Sequence, residues 1–406
     1  MNKGIRSFDR AQTKTLLVCF VIYFCAYLGR LNLSATLDYI MQSFAGIGKT
    51  RAGLIQTVFA VTYAGGQLLF GSISDHIRPK RLILTGLLGS ALCNLLFSFM
   101  NGYVPLLICW TGNGIFQSMI WTPIVIYMAH TFRPEQRKSA SFILSLTLAL
   151  GNLAAWGCSI GVTEGLLLTG MSVSEAWRYS YRIPTLMLCV AALTAFFMLP
   201  SGLRSASKGA NDAQRAPVGT LLGTGLLFML LCCIMNGFIR DGVITWAPTI
   251  VSGKSKLSSL VIPCINLLGI MLGSFLVRKA RINIRALIGL MMLCVGLFAL
   301  TLAFSKSAAA PVLALLLGVT SALLYGTNPL LTTLTPMQYE GFGRVGLVAG
   351  LIDCSIYLGS SLAGFLSGLI SEAYGSWYGV YVSWTVAACI GACSAIIASK
   401  VRRCPK

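Results

Sequence analysis

Apolar blocks long enough to cross a lipid bilayer recur along the whole chain, and they constrain its fold more than any other feature. A membrane-spanning helix needs ~20 consecutive apolar residues. Only 10% of the residues are charged and 56% are hydrophobic, whereas a soluble domain carries about 25% charged residues. The pattern predicts an all-α membrane protein with twelve transmembrane helices, at residues 15–37, 52–74, 82–100, 104–129, 139–161, 181–200, 218–250, 257–277, 285–304, 308–335, 345–370 and 380–399.

The longest polar stretch between predicted spans, residues 201–217, is rich in serine, glycine and charged residues. Such a composition is typical of a linker, and this one separates two groups of six spans. We therefore predict an N-terminal six-helix bundle over 1–200, a cytoplasmic linker over 201–217 and a C-terminal six-helix bundle over 218–406.

A net charge of +20 is compatible with a nucleic-acid partner or with a membrane. If the odd-numbered spans run outward, most of the 31 lysines and arginines lie in the loops of one side, and a few, such as Arg178 and Arg182, lie in outer loops. Basic loops favour the cytoplasmic side. We therefore expect a multi-pass membrane protein with both termini cytoplasmic, the lipid bilayer as its partner and no nucleic acid.

Two arginines, Arg30 and Arg240, interrupt the apolar spans at roughly corresponding depth in the first span of each half. Arginine stays protonated in proteins, and a charge inside a membrane is by default a functional-site hypothesis. A guanidinium gives paired hydrogen bonds to phosphoryl or carboxylate oxygens, so we predict that the two arginines bind a small anionic substrate. Tyr23 and Tyr27 share the helix face of Arg30; they line the same cavity or serve in packing.

Two acids also fall inside predicted spans. Asp241 directly follows Arg240 and points ~100° away around the helix, and Asp353 lies in the eleventh span. An acid in a membrane pairs with a base, relays a proton or is satisfied by hydroxyls. We expect a conformational or coupling role for both. In the same span, glycines such as Gly350, Gly364 and Gly368 predict close helix packing.

Residues with catalytic or metal-binding chemistry are scarce. The 14 cysteines lie mostly inside apolar runs without a CxxC pair, there are only 2 histidines, and no nucleophile–base set is visible. Buried cysteine of this kind is a small apolar packing residue. We therefore expect no metal, no cofactor and no enzymatic activity.

The loop between the second and third spans combines Gly71 and Asp75 with Pro79 and the bases Arg78, Lys80 and Arg81. This spacing resembles the signature loop of major facilitator transporters, and its form resembles that of the organophosphate:phosphate antiporters. Four further stretches are similar to the same family, so that the resemblance covers nearly the whole chain in blocks: residues 112–137, 240–249, 324–326 and 357–359.

The resemblance implies a major facilitator fold, two pseudo-symmetric bundles around a site near the bilayer midplane. It implies a monomer that exchanges a sugar or glycerol phosphate for inorganic phosphate, with both arginines on the phosphoryl group. The substrate-binding residues would be Arg30, Arg240, Tyr23, Tyr27, Gln67, Gln117, Trp121, Trp246, Tyr325 and Tyr357. The conformational or coupling residues would be Asp75, Arg78, Lys80, Arg81, Asp241 and Asp353.

Two departures from the family pattern bear on the substrate. Gln67 stands where the family has a lysine, and Leu148 where it has a histidine. With less positive charge, a carboxylate or small monoanion becomes an alternative to a phosphate ester. The stretch from Arg30 to Ser34 also resembles the anion:cation symporters, so a proton-coupled symporter of organic anions such as hexuronates is a second hypothesis. A transporter-like membrane sensor is a third.

Overall fold

The computed structural model describes residues 8–73, 77–200, 221, 223–252, 256–279, 283–305, 308–339, 342 and 344–401. No strand occurs among them, and the predicted all-α fold is confirmed. Twelve long helices follow one another: α1 Arg10–Ser43, α2 Lys49–Ile73, α3 Pro79–Phe97, α4 Tyr103–Thr131, α5 Pro134–Leu168, α6 Val173–Met198, α7 Leu226–Ser252, α8 Val261–Lys279, α9 Ile284–Phe304, α10 Ala310–Pro329, α11 Val345–Ala373 and α12 Tyr378–Lys400.

Every predicted span corresponds to one of these helices, and α4 differs from the others in its polar middle section. Within the described residues, eleven helices are long and apolar enough to cross a membrane, and α4 is not in that group. Its 29 residues would suffice for a span, but Asn113, Gln117 and Ser118 in its middle are polar, and all three are buried. Polar side chains that face the interior of a bundle are typical of functional transmembrane helices.

Helix α6 begins earlier than predicted, at Val173. Arg178 and Arg182 therefore lie in a helix, and their prediction as outer-loop residues is wrong. The Arg178 guanidinium donates hydrogen bonds to the carbonyl oxygens of Ser98 at 2.9 Å and Met100 at 3.1 Å, just beyond the end of α3. Because these carbonyls replace water around the charge, the helix can include an arginine that hydropathy alone assigns to a loop.

The chain forms two compact units of close contacts. The first contains Met1–Tyr39 and Thr62–Lys208, and the second contains Ile40–Val61 and Gly209–Lys406. The first half of α2 therefore groups with the second unit. The linker predicted at 201–217 lies outside the described residues, and the two-bundle division at that linker is untested.

Glycines let the first half of α2 approach α11 closely within the second unit. A Cβ atom added to Gly53 would lie 2.1 Å from the carbonyl oxygen of Gly364, and one added to Gly368 would lie 2.4 Å from that of Lys49. The predicted packing role of Gly364 and Gly368 is confirmed. The same prediction for Gly350 is wrong, because a Cβ there would meet only open space.

Gly364→Ala should lower the free energy of unfolding by about 1–3 kcal/mol, because overpacking forces the two backbones apart. Gly350→Ala is the matched control in the same helix. It should raise the free energy of unfolding by up to ~1 kcal/mol, because alanine has the higher helix propensity. Thermal unfolding of both variants in detergent measures the difference, and equal effects would contradict the contact.

Candidate functional site

Three aromatic rings surround the guanidinium of Arg30 on α1. Its Cζ atom lies 3.8 Å from the ring centroid of Tyr27, 5.5 Å from that of Tyr23 and 5.6 Å from that of Tyr63 on α2. A cation over an aromatic face is stabilised by the ring quadrupole, and more strongly when it is desolvated. Arg30 is only 9% exposed, so the rings offset part of the hydration that the charge loses. Tyr23 and Tyr27 lie beside Arg30 as predicted from their spacing.

Two more of the predicted substrate-binding residues join this group. The Trp121 ring of α4 packs against Tyr23 with centroids 4.7 Å apart. Gln67 donates from Nε2 to the Tyr63 hydroxyl at 2.9 Å. Tyr63 was not among the predicted residues, although it precedes Gln67 by one helical turn and so shares its face. We define the Arg30 cluster as Tyr23, Tyr27, Arg30, Tyr63, Gln67 and Trp121.

Buried amides on α3 and α4 hold the α1 backbone next to Arg30. Gln117 donates to the carbonyl oxygen of Ala26 at 3.0 Å, and Asn94 donates to that of Gly29 at 2.9 Å. These bonds fix α1 in register with its neighbours, because a buried amide without a partner would be unfavourable. The described part of the chain offers no partner to Oε1 of Gln117. Gln117 thus supports the arginine through the backbone, and its contact with substrate is still a prediction.

The second arginine, Arg240 on α7, forms an ion pair with its own neighbour. Its Nε donates to Oδ1 of Asp241 at 2.8 Å and its Nη2 to Oδ2 at 3.2 Å. Its Nη1 donates to Oδ1 of Asn328 on α10 at 3.1 Å. Consecutive Cα–Cβ bonds diverge by ~100° on a helix, but the arginine side chain is long enough for its guanidinium to reach the neighbouring carboxylate. Asn328 was not predicted, although it follows Tyr325 by three residues.

A close crossing of α7 and α11 brings a tyrosine to this arginine. A Cβ atom added to Gly237 would lie 2.0 Å from the carbonyl oxygen of Ile356, so only glycine permits the approach. One residue beyond Ile356, Tyr357 interacts electrostatically with Arg240, and so does Tyr325 of α10. The two tyrosines, predicted from the sequence only as substrate-binding residues, therefore lie within electrostatic range of the arginine.

Asp353 of α11 also lies within electrostatic range of Arg240. Its side chain is exposed, and it precedes Tyr357 by one helical turn on the same face. The guanidinium thus has two carboxylates in its surroundings, one bonded and one exposed. We define the Arg240 cluster as Arg240, Asp241, Tyr325, Asn328, Asp353 and Tyr357.

A π-helical turn begins two residues after Asn328. It covers Leu330–Leu334, and within it the Thr332 hydroxyl donates to the carbonyl oxygen of Asn328 at 2.9 Å. Turns of this kind frequently interrupt α-helices at functional sites. The interruption of α10 at this point is a second sign that the Arg240 cluster has more than a packing role.

Trp246 lies in neither cluster. Its Nε1 donates to the carbonyl oxygen of Gly364 at 3.2 Å, and its ring packs against that of Trp377 with centroids 5.3 Å apart. Six residues separate it from Arg240, which places it ~9 Å further along α7 and on another face. Its observed place is the contact between α7 and α11, and the predicted substrate contact has no support from this position.

The predicted signature loop is described only in part. Lys80 donates from Nζ to the carbonyl oxygen of Leu199 at 2.9 Å and so connects the start of α3 to the end of α6. Arg78 directly precedes α3, and Arg81 is exposed. Asp75 lies outside the described residues. A conformational role for this loop is not tested by these contacts.

Each cluster has the chemistry to bind an oxyanion. A guanidinium offers five N–H donors in a rigid planar arrangement, and the tyrosine and tryptophan rings around it offer apolar faces to the remainder of a small molecule. The described residues contain no group of three His, Cys, Asp or Glu side chains that could hold a metal. The arrangement is therefore suited to reversible binding of a small organic anion.

Tyr27→Leu should lower the free energy of unfolding by about 2 kcal/mol, because it removes the ring closest to a buried cation. Tyr27→Phe keeps the aromatic face and should have a clearly smaller effect. Chemical denaturation of both variants in detergent measures the difference. If phenylalanine and leucine destabilise equally, the ring does not stabilise the guanidinium.

Comparison with known proteins identifies relatives at low identity. The family model described as "Major Facilitator Superfamily" matches residues 19–341. A glycerol-3-phosphate transporter of Bacillus subtilis is 24% identical over 267 residues, which cover 60% of this chain and 58% of that protein. A glucose-6-phosphate exchanger of Xenopus tropicalis is 28% identical over 159 residues, which cover 37% of this chain and 29% of that protein. The matches thus cover less than two thirds of these relatives.

Solved structures extend the similarity to the whole fold. A bacterial homologue of the human lysosomal transporter Spinster, in an inward-facing and unoccupied conformation, superimposes with a TM-score of 0.77 at 16% identity. The superposition covers 97% of this chain and 98% of that one. At this identity the likeness establishes the arrangement of helices, and it carries no information on the substrate.

Proposed function

Because the chain belongs to the Major Facilitator Superfamily, we propose that it transports a small organic anion by alternating access, and that an organophosphate is exchanged for inorganic phosphate. The family match confirms the predicted superfamily. It also confirms the prediction that the protein is a transporter and not an enzyme. The observation that carries the proposal is that each half of the chain contributes one arginine, buried at Arg30 and partly buried at Arg240, set among aromatic rings and amides.

The relatives support an organophosphate as the substrate class. The names of two of them specify glycerol 3-phosphate and glucose 6-phosphate, and one of these proteins is named an exchanger. In the proposed mechanism, Arg30 and Arg240 bind the phosphoryl group of one substrate, and the aromatic side chains of the Arg30 cluster contact its organic part. Inorganic phosphate offers the same oxyanion to the same donors, so it can serve as the counter-substrate.

Exchange follows from the charges of the binding residues. In the proposed mechanism the bound anion adds negative charge at Arg30 and Arg240, whereas an empty carrier relies on Asp241 at Arg240 and on aromatic rings at Arg30 in a low-dielectric surrounding. The unloaded form therefore reorients more slowly, and transport in one direction depends on an anion for the return. We propose that the protein acts as a monomer in a bacterial inner membrane with both termini in the cytoplasm.

A proton-coupled symporter of organic anions is the second candidate, and Asp353 favours it. An exposed carboxylate within electrostatic range of Arg240 can take up a proton as an anion binds and release it afterwards. A pH gradient without internal phosphate should drive uptake in this case. Exchange predicts that uptake under those conditions is absent.

Arg30→Lys and Arg240→Lys should each abolish phosphate-driven uptake, because lysine keeps the charge but loses the paired hydrogen bonds. The measurement is uptake of labelled glycerol 3-phosphate into proteoliposomes that contain phosphate. Arg10→Lys at the exposed start of α1 is the matched control and should retain full activity. Full activity of Arg30→Lys or of Arg240→Lys would refute the proposed mechanism.

Gln67→Lys should shift the preference toward more highly charged phosphate esters, because it adds a positive charge within the Arg30 cluster. Competition between doubly and singly charged anions in the same uptake assay measures this preference. Gln67→Met, of similar size and without charge, is the control. An unchanged preference in the lysine variant would show that the missing charge does not limit the choice of substrate.

A further inference from the structure

The ion pair of Arg240 with Asp241 leaves part of the guanidinium available to a ligand. Asp241 occupies the edge formed by Nε and Nη2, at 2.8 Å and 3.2 Å, and Asn328 takes one N–H of Nη1. Of the five N–H groups of an arginine, one on each terminal nitrogen then has no acceptor among the described residues. The side chains of Arg240 and Asp241 are 14% and 28% exposed, so a small anion can reach these donors while Asp241 stays bonded.

An anion bound to these donors also experiences the negative charges of the two carboxylates near Arg240. Without carboxylates, Arg240 would contribute one positive charge. With Asp241 paired to it and Asp353 in electrostatic range, the charges of this cluster sum to minus one, and Arg30 brings the sum over the groups proposed to bind the anion to zero in place of plus two. The guanidinium still donates hydrogen bonds, but each additional charge on the ligand is now opposed by nearby carboxylates. Like charges close to one another repel strongly where the dielectric constant is low.

We propose that Asp241 is a fixed internal counter-anion that restricts the site to singly charged anions. The proposal rests on the function proposed above and narrows its substrate class to monoanions, including the singly charged forms of phosphate and of phosphate esters. Gln67 and Leu148, which replace basic residues of the family pattern, act in the same direction. Asp241 is thus a specificity-determining residue, and it does not need to leave Arg240 when the substrate binds.

Two ligands of the same shape and different charge test this inference. At pH 8 glycerol 3-phosphate is a dianion, because the second pKa of a phosphate ester is about 6, whereas glycerol 3-sulfate is a monoanion at any pH. Isothermal titration of the purified full-length protein gives the dissociation constant of each. The native protein should bind the sulfate ester at least about tenfold more tightly. A native protein that prefers the phosphate dianion overturns the proposal without any variant.

Asp241→Asn removes the carboxylate and keeps a hydrogen-bond acceptor for Arg240. It should lower the preference for the monoanion at least about tenfold. Asp241→Glu keeps the charge and should retain the native preference, and Asp9→Asn, the same change at an exposed position near the start of α1, should alter it less than about twofold. An unchanged preference in Asp241→Asn, or an equal gain in affinity for both esters, overturns the proposal.

The outcomes also separate this inference from the function on which it rests. If the folded native protein binds neither ester nor inorganic phosphate, the proposed function fails and the inference fails with it. If both esters bind and are exchanged, but their ratio does not depend on Asp241, only the charge selection fails. Thermal unfolding of each variant establishes that it is folded before its affinities are compared.

Discussion

Burial of two guanidinium charges in apolar helices is the constraint on which the rest of this structure depends. A charge in such a surrounding needs other groups to replace its hydration, and the protein meets this need in two ways. Around Arg30 it uses aromatic faces, with the Tyr27 ring centroid at 3.8 Å. Around Arg240 it uses a carboxylate and an amide. Close glycine contacts and buried amides then hold the helices that carry these groups.

This difference between the clusters has a functional consequence. The rings around Arg30 carry no negative charge of their own, whereas Asp241 compensates the charge of Arg240. Two bare arginines would favour multiply charged anions, but an arginine with its own counter-anion favours singly charged ones. Exchange of phosphate esters for phosphate therefore remains the proposed activity, with their monoanionic forms as the proposed substrates.

The sequence alone was sufficient to predict the long helices and to single out the two arginines. The length of an apolar run, and a charge inside it, can be read from neighbouring residues. It was not sufficient for contacts that depend on the approach of distant helices. Asn328 reaches Arg240 from another helix, and Trp246 lies at a helix contact although its neighbours in sequence resemble a binding motif. The pairing of Asp241 depends on side-chain rotamers that helical geometry alone does not determine. Helix α6 begins earlier than the sequence predicts, because backbone carbonyl groups accept hydrogen bonds from an arginine that hydropathy alone assigns to a loop.

The central claim is that Arg30 and Arg240 bind the same anion, and a double-mutant cycle tests it most directly. Phosphate binding is titrated to the native protein, to Arg30→Lys, to Arg240→Lys and to the double variant. A shared anion predicts one phosphate per chain and strongly non-additive losses, since both side chains act on one ligand. Two phosphates per chain, each lost with one arginine and with additive energies, would contradict the account.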